Sequence, residues 1–143
     1  MWTYFDTSAL VKRYVDEPGR RDVLQLLRRN ACVTSVVLPV ELRSSLRRRV
    51  AEGSIDATRL PAILKHIAAD RRYWTFVEVG TDVLANAETL VAAHPIRTLD
   101  AIHVASARLF AARIAMPGLT FVSADKRQTE TAVAVGLAAR HIE

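Results

Sequence analysis

The chain has 143 residues, half of them hydrophobic, with 20 basic and 15 acidic side chains and a formal net charge of +5. This length and apolar content suit a single domain over residues 1–143 with a buried core, and they exclude a disordered chain. No apolar run approaches the roughly 20 residues of a membrane span, and the first residues lack a basic-then-apolar leader layout, so the expectation is a cytoplasmic protein with no membrane partner.

The opening "MWTYF" reads as a first strand that ends on Asp6, and "TSALVKRYV" as a short helix stopping near Pro18–Gly19. "RRDVLQLLRR" places Val23, Leu26 and Leu27 on one helical face. "ACVTS" is strand two; its Cys32 is the only cysteine, cannot form an intrachain disulfide and reads as core in a reducing compartment. "LPVELRSSLRRRVAEG" is a helix with Leu38, Leu42, Leu46 and Val50 along one side and Gly53 as its stop. "DATRLPAILKHIAADRRY" is the next helix, with Pro61 either in its first turn or kinking it. "WTFVEV" reads as strand three, and "TDVLANAETLVAAH" as a helix with Thr81 as N-cap. "LDAIHVASARLFAARIA" is an alanine-rich helix, "LTFVS" strand four, "KRQTETAVAVG" a last helix ending at Gly136, and "LAARHI" a short edge strand.

Strands alternating with helices imply an α/β fold of three layers, α/β/α, around a parallel sheet covered on both faces. Right-handed crossovers and a central first strand give five strands in the order 3-2-1-4-5. In such sheets a site lies beyond the carboxyl ends of the strands where the order reverses, here between strands one and four.

Four acids fall on that edge. Asp6 ends strand one, Asp125 follows strand four, Glu41 lies in the first turn of the helix after strand two, and Asp100 starts the alanine-rich helix. Each alone fits a helix N-terminal charge; four on one rim point to a site. At ~5 Å and an effective dielectric of ~20, each pair of carboxylates repels by about 3 kcal/mol. Raised pKa values or a bound cation relieve that repulsion. All-oxygen donors without His or Cys select a hard ion, Mg²⁺ or Mn²⁺ before calcium. In a basic chain, such an ion suggests metal-assisted phosphodiester hydrolysis, with one ion or two.

Nearly all the basic residues are arginines, clustered at Arg20/Arg21, Arg28/Arg29, Arg47–Arg49 and Arg71/Arg72. Guanidinium forks suit phosphate, so nucleic acid is a natural partner, although arginines on solvated helix faces also serve solubility alone. Arg97 is placed to touch phosphate or solvent, and Arg47–Arg49 to grip RNA or an acidic protein segment. His103 shares a helix face with Asp100 and reads first as a packed, hydrogen-bonded residue, with general base or ligand as the alternative. His66, His94 and His141 have no metal-ligand spacing. Trp2 and Trp74 read as core or dimer residues.

Four stretches together resemble the PIN-domain ribonucleases, and most closely the VapC-type toxins of prokaryotic toxin–antitoxin pairs: "FDTSALVKRYVDEPG", "VVLPVELRSSLRR", "HPIRTLDAIHVASA" and "FVSADKRQTETAVAVGL". They bear Asp6, Glu41, Asp100 and Asp125 in the family's order, with no departure from its four-acid pattern. The resemblance implies a Mg²⁺- or Mn²⁺-dependent endoribonuclease acting on structured RNA such as tRNA or rRNA, a cognate antitoxin and a homodimer. It implies Asp6 and Asp100 as metal ligands, Glu41 and Asp125 completing the catalytic pocket, and Ser8 and Ser123 as hydrogen-bond partners of the ligands. Two other readings stand beside it. One is a phosphotransfer protein of receiver or haloacid-dehalogenase type, with Lys126 as its lysine; the other is a non-enzymatic RNA- or protein-binding module.

Overall fold

Five short strands lie side by side in the order β3-β2-β1-β4-β5, every neighbouring pair parallel. They are β1 (Trp2–Phe5), β2 (Ala31–Ser35), β3 (Thr75–Val77), β4 (Leu119–Ser123) and β5 (Ala138–His141). The helices are α1 (Thr7–Leu10), α2 (Arg20–Arg29), α3 (Leu38–Ala51), α4 (Leu60–Asp70), α5 (Thr81–Ala93), α6 (Thr98–Ile114) and α7 (Lys126–Ala134). The structure, a computed structural model, describes residues 1–115 and 118–143. The three-layer arrangement and strand order are those the alternating pattern implies.

β1 is central, with Trp2 opposite Ala31 on one side and Leu119 on the other. Successive side chains of a strand face opposite ways, so adjacent apolar residues feed different layers. Phe5 packs with Leu10, Leu38, Leu42, Leu46 and Val122 under α1 and α3. Tyr4 packs with Val33, Val104 and Phe121 under α5 and α6. Both aromatic rings are fully buried. The alanines of α6 let it sit close to the sheet: Ala101, Ala105 and Ala107 are at most 1% exposed.

Local readings resolve in particular ways. Pro61 lies in the first turn of α4, where its missing N–H leaves no bond unmade. The first helix is shorter than its apolar run suggests. It tightens after Leu10 into a 3₁₀ turn over Val11–Arg13, and Tyr14 then reaches Asp70 with its hydroxyl at 2.6 Å. Strand three covers only Thr75–Val77, because its one neighbour, β2, ends at Ser35 opposite Val77. Thr81 is not the N-cap of α5; Gly80 occupies that position without a side-chain cap, and Thr81 is already inside the helix. Trp74 is core, whereas Trp2 is half-buried and meets Phe110 edge-on with ring centroids 4.9 Å apart. Cys32 is 7% exposed, and burial pushes its thiol up to about 12, as an inert core residue requires. Among the described residues no helix is long and apolar enough to cross a membrane.

Candidate active site

The reversal of strand order lies between β1 and β4, and a cavity of about 850 Å³ opens on the carboxyl edge there. Asp6, Glu41, Asp100 and Asp125 all line it. Each arrives by a different route: Asp6 follows β1, Glu41 sits in the first turn of α3, Asp100 in the first turn of α6, and Asp125 follows β4.

Asp6 is 3% exposed. It caps α1, accepting from the Ala9 N–H at 3.0 Å, so the capping role and a place in the cavity coexist. Ser8 Oγ lies 2.9 and 2.8 Å from its two carboxylate oxygens, and Ser123 Oγ donates to Oδ2 at 3.0 Å. Burial raises the Asp6 pKa to about 6; the charge of His103 and the bonds from Ser8, Ala9 and Ser123 pull it down only in part.

The same two serines tie the β4–α7 turn to Asp6. Ser8 Oγ accepts from the Ala124 N–H and Ser123 Oγ from the Asp125 N–H, both at 2.9 Å. Gln128 Oε1 is 2.8 Å from Ser123 Oγ, and its amide nitrogen donates to the Asp100 carbonyl at 3.3 Å. One fully buried glutamine thus links the loops carrying three of the four acids. Ser123 has a single hydroxyl proton for two acceptors, Asp6 and Gln128.

Glu41 is held by a second chain of bonds. Its Oε1 accepts from His103 Nε2 at 2.5 Å and from the Thr7 hydroxyl at 2.9 Å. On its other side, His103 Nδ1 is 2.8 Å from the Tyr4 hydroxyl. A carboxylate only accepts, so Nε2 carries a proton; Nδ1 accepts from the tyrosine when the ring is neutral and donates to it when the ring is charged. Burial raises the Tyr4 pKa well above its usual value, which keeps the phenol a donor.

Asp100 makes no side-chain hydrogen bond among the described residues and is free to take a ligand. Its pKa is raised, first by burial and then by the neighbouring charges of Asp125 and Glu41. Asp125 caps α7, accepting from the Arg127 and Gln128 N–H groups at 2.9 and 3.4 Å. Among the described residues no three His, Cys, Asp or Glu side chains are drawn up as ready-made metal ligands. Local partners account for that: serines hold Asp6, His103 and Thr7 hold Glu41, and a helix end holds Asp125. The donor set itself, four carboxylates and no thiol, fits a hard divalent ion.

Several basic residues at this cavity are already committed. Arg49 pairs with Glu17 at 2.8 and 3.0 Å and also bonds Ser45, while Lys12 donates to the Pro18 carbonyl at 2.7 Å. Within the Arg47–Arg49 run, therefore, Arg49 is a structural residue. Lys126 is exposed and lines neither this cavity nor the smaller one beside Asp100 and Asp125. Another cavity, of about 410 Å³ around Arg13, Cys32 and Asp70, contains none of the four acids. The roles of Tyr4, Thr7 and Gln128 had no signal in the chain; each looks like an ordinary strand or helix residue until the fold brings it to its partner.

An α/β/α domain with a carboxylate-lined cavity at the switch point of its parallel sheet places that cavity where open α/β sheets bind their ligands. The model of the PIN domain matches residues 3–134, and the chain belongs to the PIN-domain family. Its members are generally nucleases and typically use divalent metal ions. Among curated proteins none matches the sequence.

Solved structures share the fold at low identity. FitAcB from Neisseria gonorrhoeae is 14% identical, with 96% of this chain and 95% of that chain covered and a TM-score of 0.70. VapBC2 from Rickettsia felis, solved bound to a DNA fragment from its promoter, is 11% identical over all of both chains, with a TM-score of 0.67. PAE2754 from Pyrobaculum aerophilum is 15% identical over 97% of this chain and 89% of that chain, with a TM-score of 0.65.

Proposed function

We propose that this chain is a metal-dependent endoribonuclease, the toxin of a toxin–antitoxin pair, that hydrolyses RNA phosphodiester bonds at the four-carboxylate cavity. The observation that carries this reading is the meeting of Asp6, Glu41, Asp100 and Asp125 in one cavity from four separate segments. Asp6 and Asp100 would hold Mg²⁺ or Mn²⁺, with Glu41 and Asp125 completing the pocket. The ion supplies positive charge against the phosphate and a more acidic water. Ser8 and Ser123 orient Asp6, and the Tyr4–His103 pair and Thr7 orient Glu41. The likeness to FitAcB and VapBC2 supports the toxin reading, with a cognate antitoxin, a homodimer and a cytoplasmic setting as its further parts. Structured RNA, tRNA or rRNA, is the proposed substrate.

The test is direct. Purified chain incubated with tRNA or total RNA and Mg²⁺ or Mn²⁺ should cleave internally, and EDTA should stop it. Asp6→Asn and Asp100→Asn should each lower the rate at least about a hundredfold. Variants that cleave as fast as the parent would falsify the site. RNA binding that persists in EDTA, with no cleavage of any RNA tried, would identify a binding module instead.

A further inference from the structure

Beside the large cavity lies a smaller one of about 370 Å³, lined by Pro95, Ile96, Arg97, Asp100, Asp125 and Arg127. Arg97, Asp100 and Asp125 belong to both cavities, so these three side chains form the wall between them. Arg49 is spent on Glu17 and Ser45, whereas among the described residues neither Arg97 nor Arg127 makes an ion pair or a side-chain hydrogen bond. Both are exposed. They stand three and two residues from the acids of the wall, yet neither closes onto a carboxylate within 4.0 Å. Arg97 is near enough for its charge to lower the Asp100 pKa. Two open guanidinium forks at the lip of a carboxylate-lined site match an anion that runs past the acids rather than one that binds on them. Arg97 is also the N-cap residue of the 17-residue α6 and offers no side-chain acceptor to that helix's first N–H groups, which adds to the positive potential on this side.

We propose that this smaller cavity holds a phosphate of the RNA strand adjacent to the one cleaved, gripped jointly by Arg97 and Arg127. The strand then crosses the Asp100–Asp125 wall, with the scissile phosphate in the large cavity and its neighbour in the small one. The inference rests on the nuclease reading for the identity of the strand, but it is tested by binding alone.

The probe is a labelled single-stranded RNA of about a dozen nucleotides, titrated with the full chain in EDTA across a range of salt concentrations. Arg97→Ala and Arg127→Ala should each weaken binding roughly tenfold at low salt. For single strands each neutralised phosphate contributes about −0.7 to the slope of log affinity against log salt. If the two arginines share one phosphate, the double variant loses about 0.7 of that slope, not twice as much. Arg113→Ala is the control: exposed, near the far end of α6, about 20 Å along the helix from Asp100. Circular dichroism checks that each variant keeps the parent's fold and melting point. A double variant that binds and responds to salt like the parent or the Arg113 control overturns the inference and leaves the pair to an acidic protein partner. A parent chain that does not bind RNA at low salt overturns it as well. Loss of cleavage without loss of these binding effects would instead fault the nuclease reading alone.

Discussion

Asp6 is a liability to the metal-free fold. Its folded pKa is about 6 against an ordinary 3.8, raised by burial. For an acid with a raised folded pKa, the unfolded chain gives up its proton first. Stability therefore falls as pH climbs from 3.8 to 6 and stays low above. The difference of 6 − 3.8 = 2.2 units amounts to about 3 kcal/mol. Asparagine keeps an oxygen for the Ala9 N–H and presents an amide to the two serine oxygens. Asp6→Asn should thus stabilise the metal-free protein at pH 8 by up to about 3 kcal/mol, seen as a rise in Tm of roughly 8–10 °C, with little gain at pH 4. If the carboxylate forms of Asp6 and Asp100 take the ion, cleavage should fall away in acid, at a pH that moves up as the metal concentration is lowered; rate–pH profiles at two metal concentrations check it. The Tyr4 hydroxyl gives a separate residue-scale outcome. Tyr4→Phe leaves the buried His103 Nδ1 without its partner at 1% side-chain exposure and should cost about 1–3 kcal/mol in a denaturant melt.

At the scale of elements, two glycines in the left-handed region separate backbone strain from crowding. Gly19, at the start of α2, has φ +89°, and a Cβ there would stand 2.4 Å from Ile142 Cγ2 and 2.5 Å from the Glu143 carbonyl oxygen. Gly136, after α7, has φ +93° with open space around it. Gly136→Ala should cost about 1–2 kcal/mol from the dihedral alone, and Gly19→Ala clearly more, because the Ile142–Glu143 segment must also move. Thermal melts of the two variants compare them. Much at this scale was legible from pattern. Alternating apolar strands and helical segments located the five strands and seven helices found among the described residues, and the helix-face residues Leu38, Leu42 and Leu46 are buried as their spacing implies. Element ends were not legible. The length of β3 depends on where β2 stops, and the cap of α5 on whether Gly80 or Thr81 takes the extended conformation, and neither is encoded locally. The cavity's rim was legible because strand order alone puts Asp6, Glu41, Asp100 and Asp125 on one edge. The Tyr4–His103–Glu41 chain was not, since its members are separated by 99 and 62 positions and lie on β1, α6 and α3, which meet only in the folded chain.

For the whole molecule, a ligand that binds only the folded state raises stability in proportion to the logarithm of its concentration over its dissociation constant. Mg²⁺ or Mn²⁺ at a hundredfold excess over that constant should add about 2.7 kcal/mol, or a Tm rise of roughly 8 °C in a chain of this size. EDTA should reverse it, and Asp100→Asn should abolish it; scanning calorimetry of the parent and variant measures both. Asp6→Asn would show the high Tm without the metal response, which separates relief of burial from coordination. The turn after α3, where exposed Gly53 has φ +81° and nothing within 4 Å of its would-be Cβ, carries a consequence of another kind. A single peptide cut there parts Asp6 and Glu41 from Asp100 and Asp125. It also leaves the β1–β4 and β2–β3 pairings as the seams between fragments. Neither fragment would carry all four acids, so any activity of the cavity would report reassembly of the two halves.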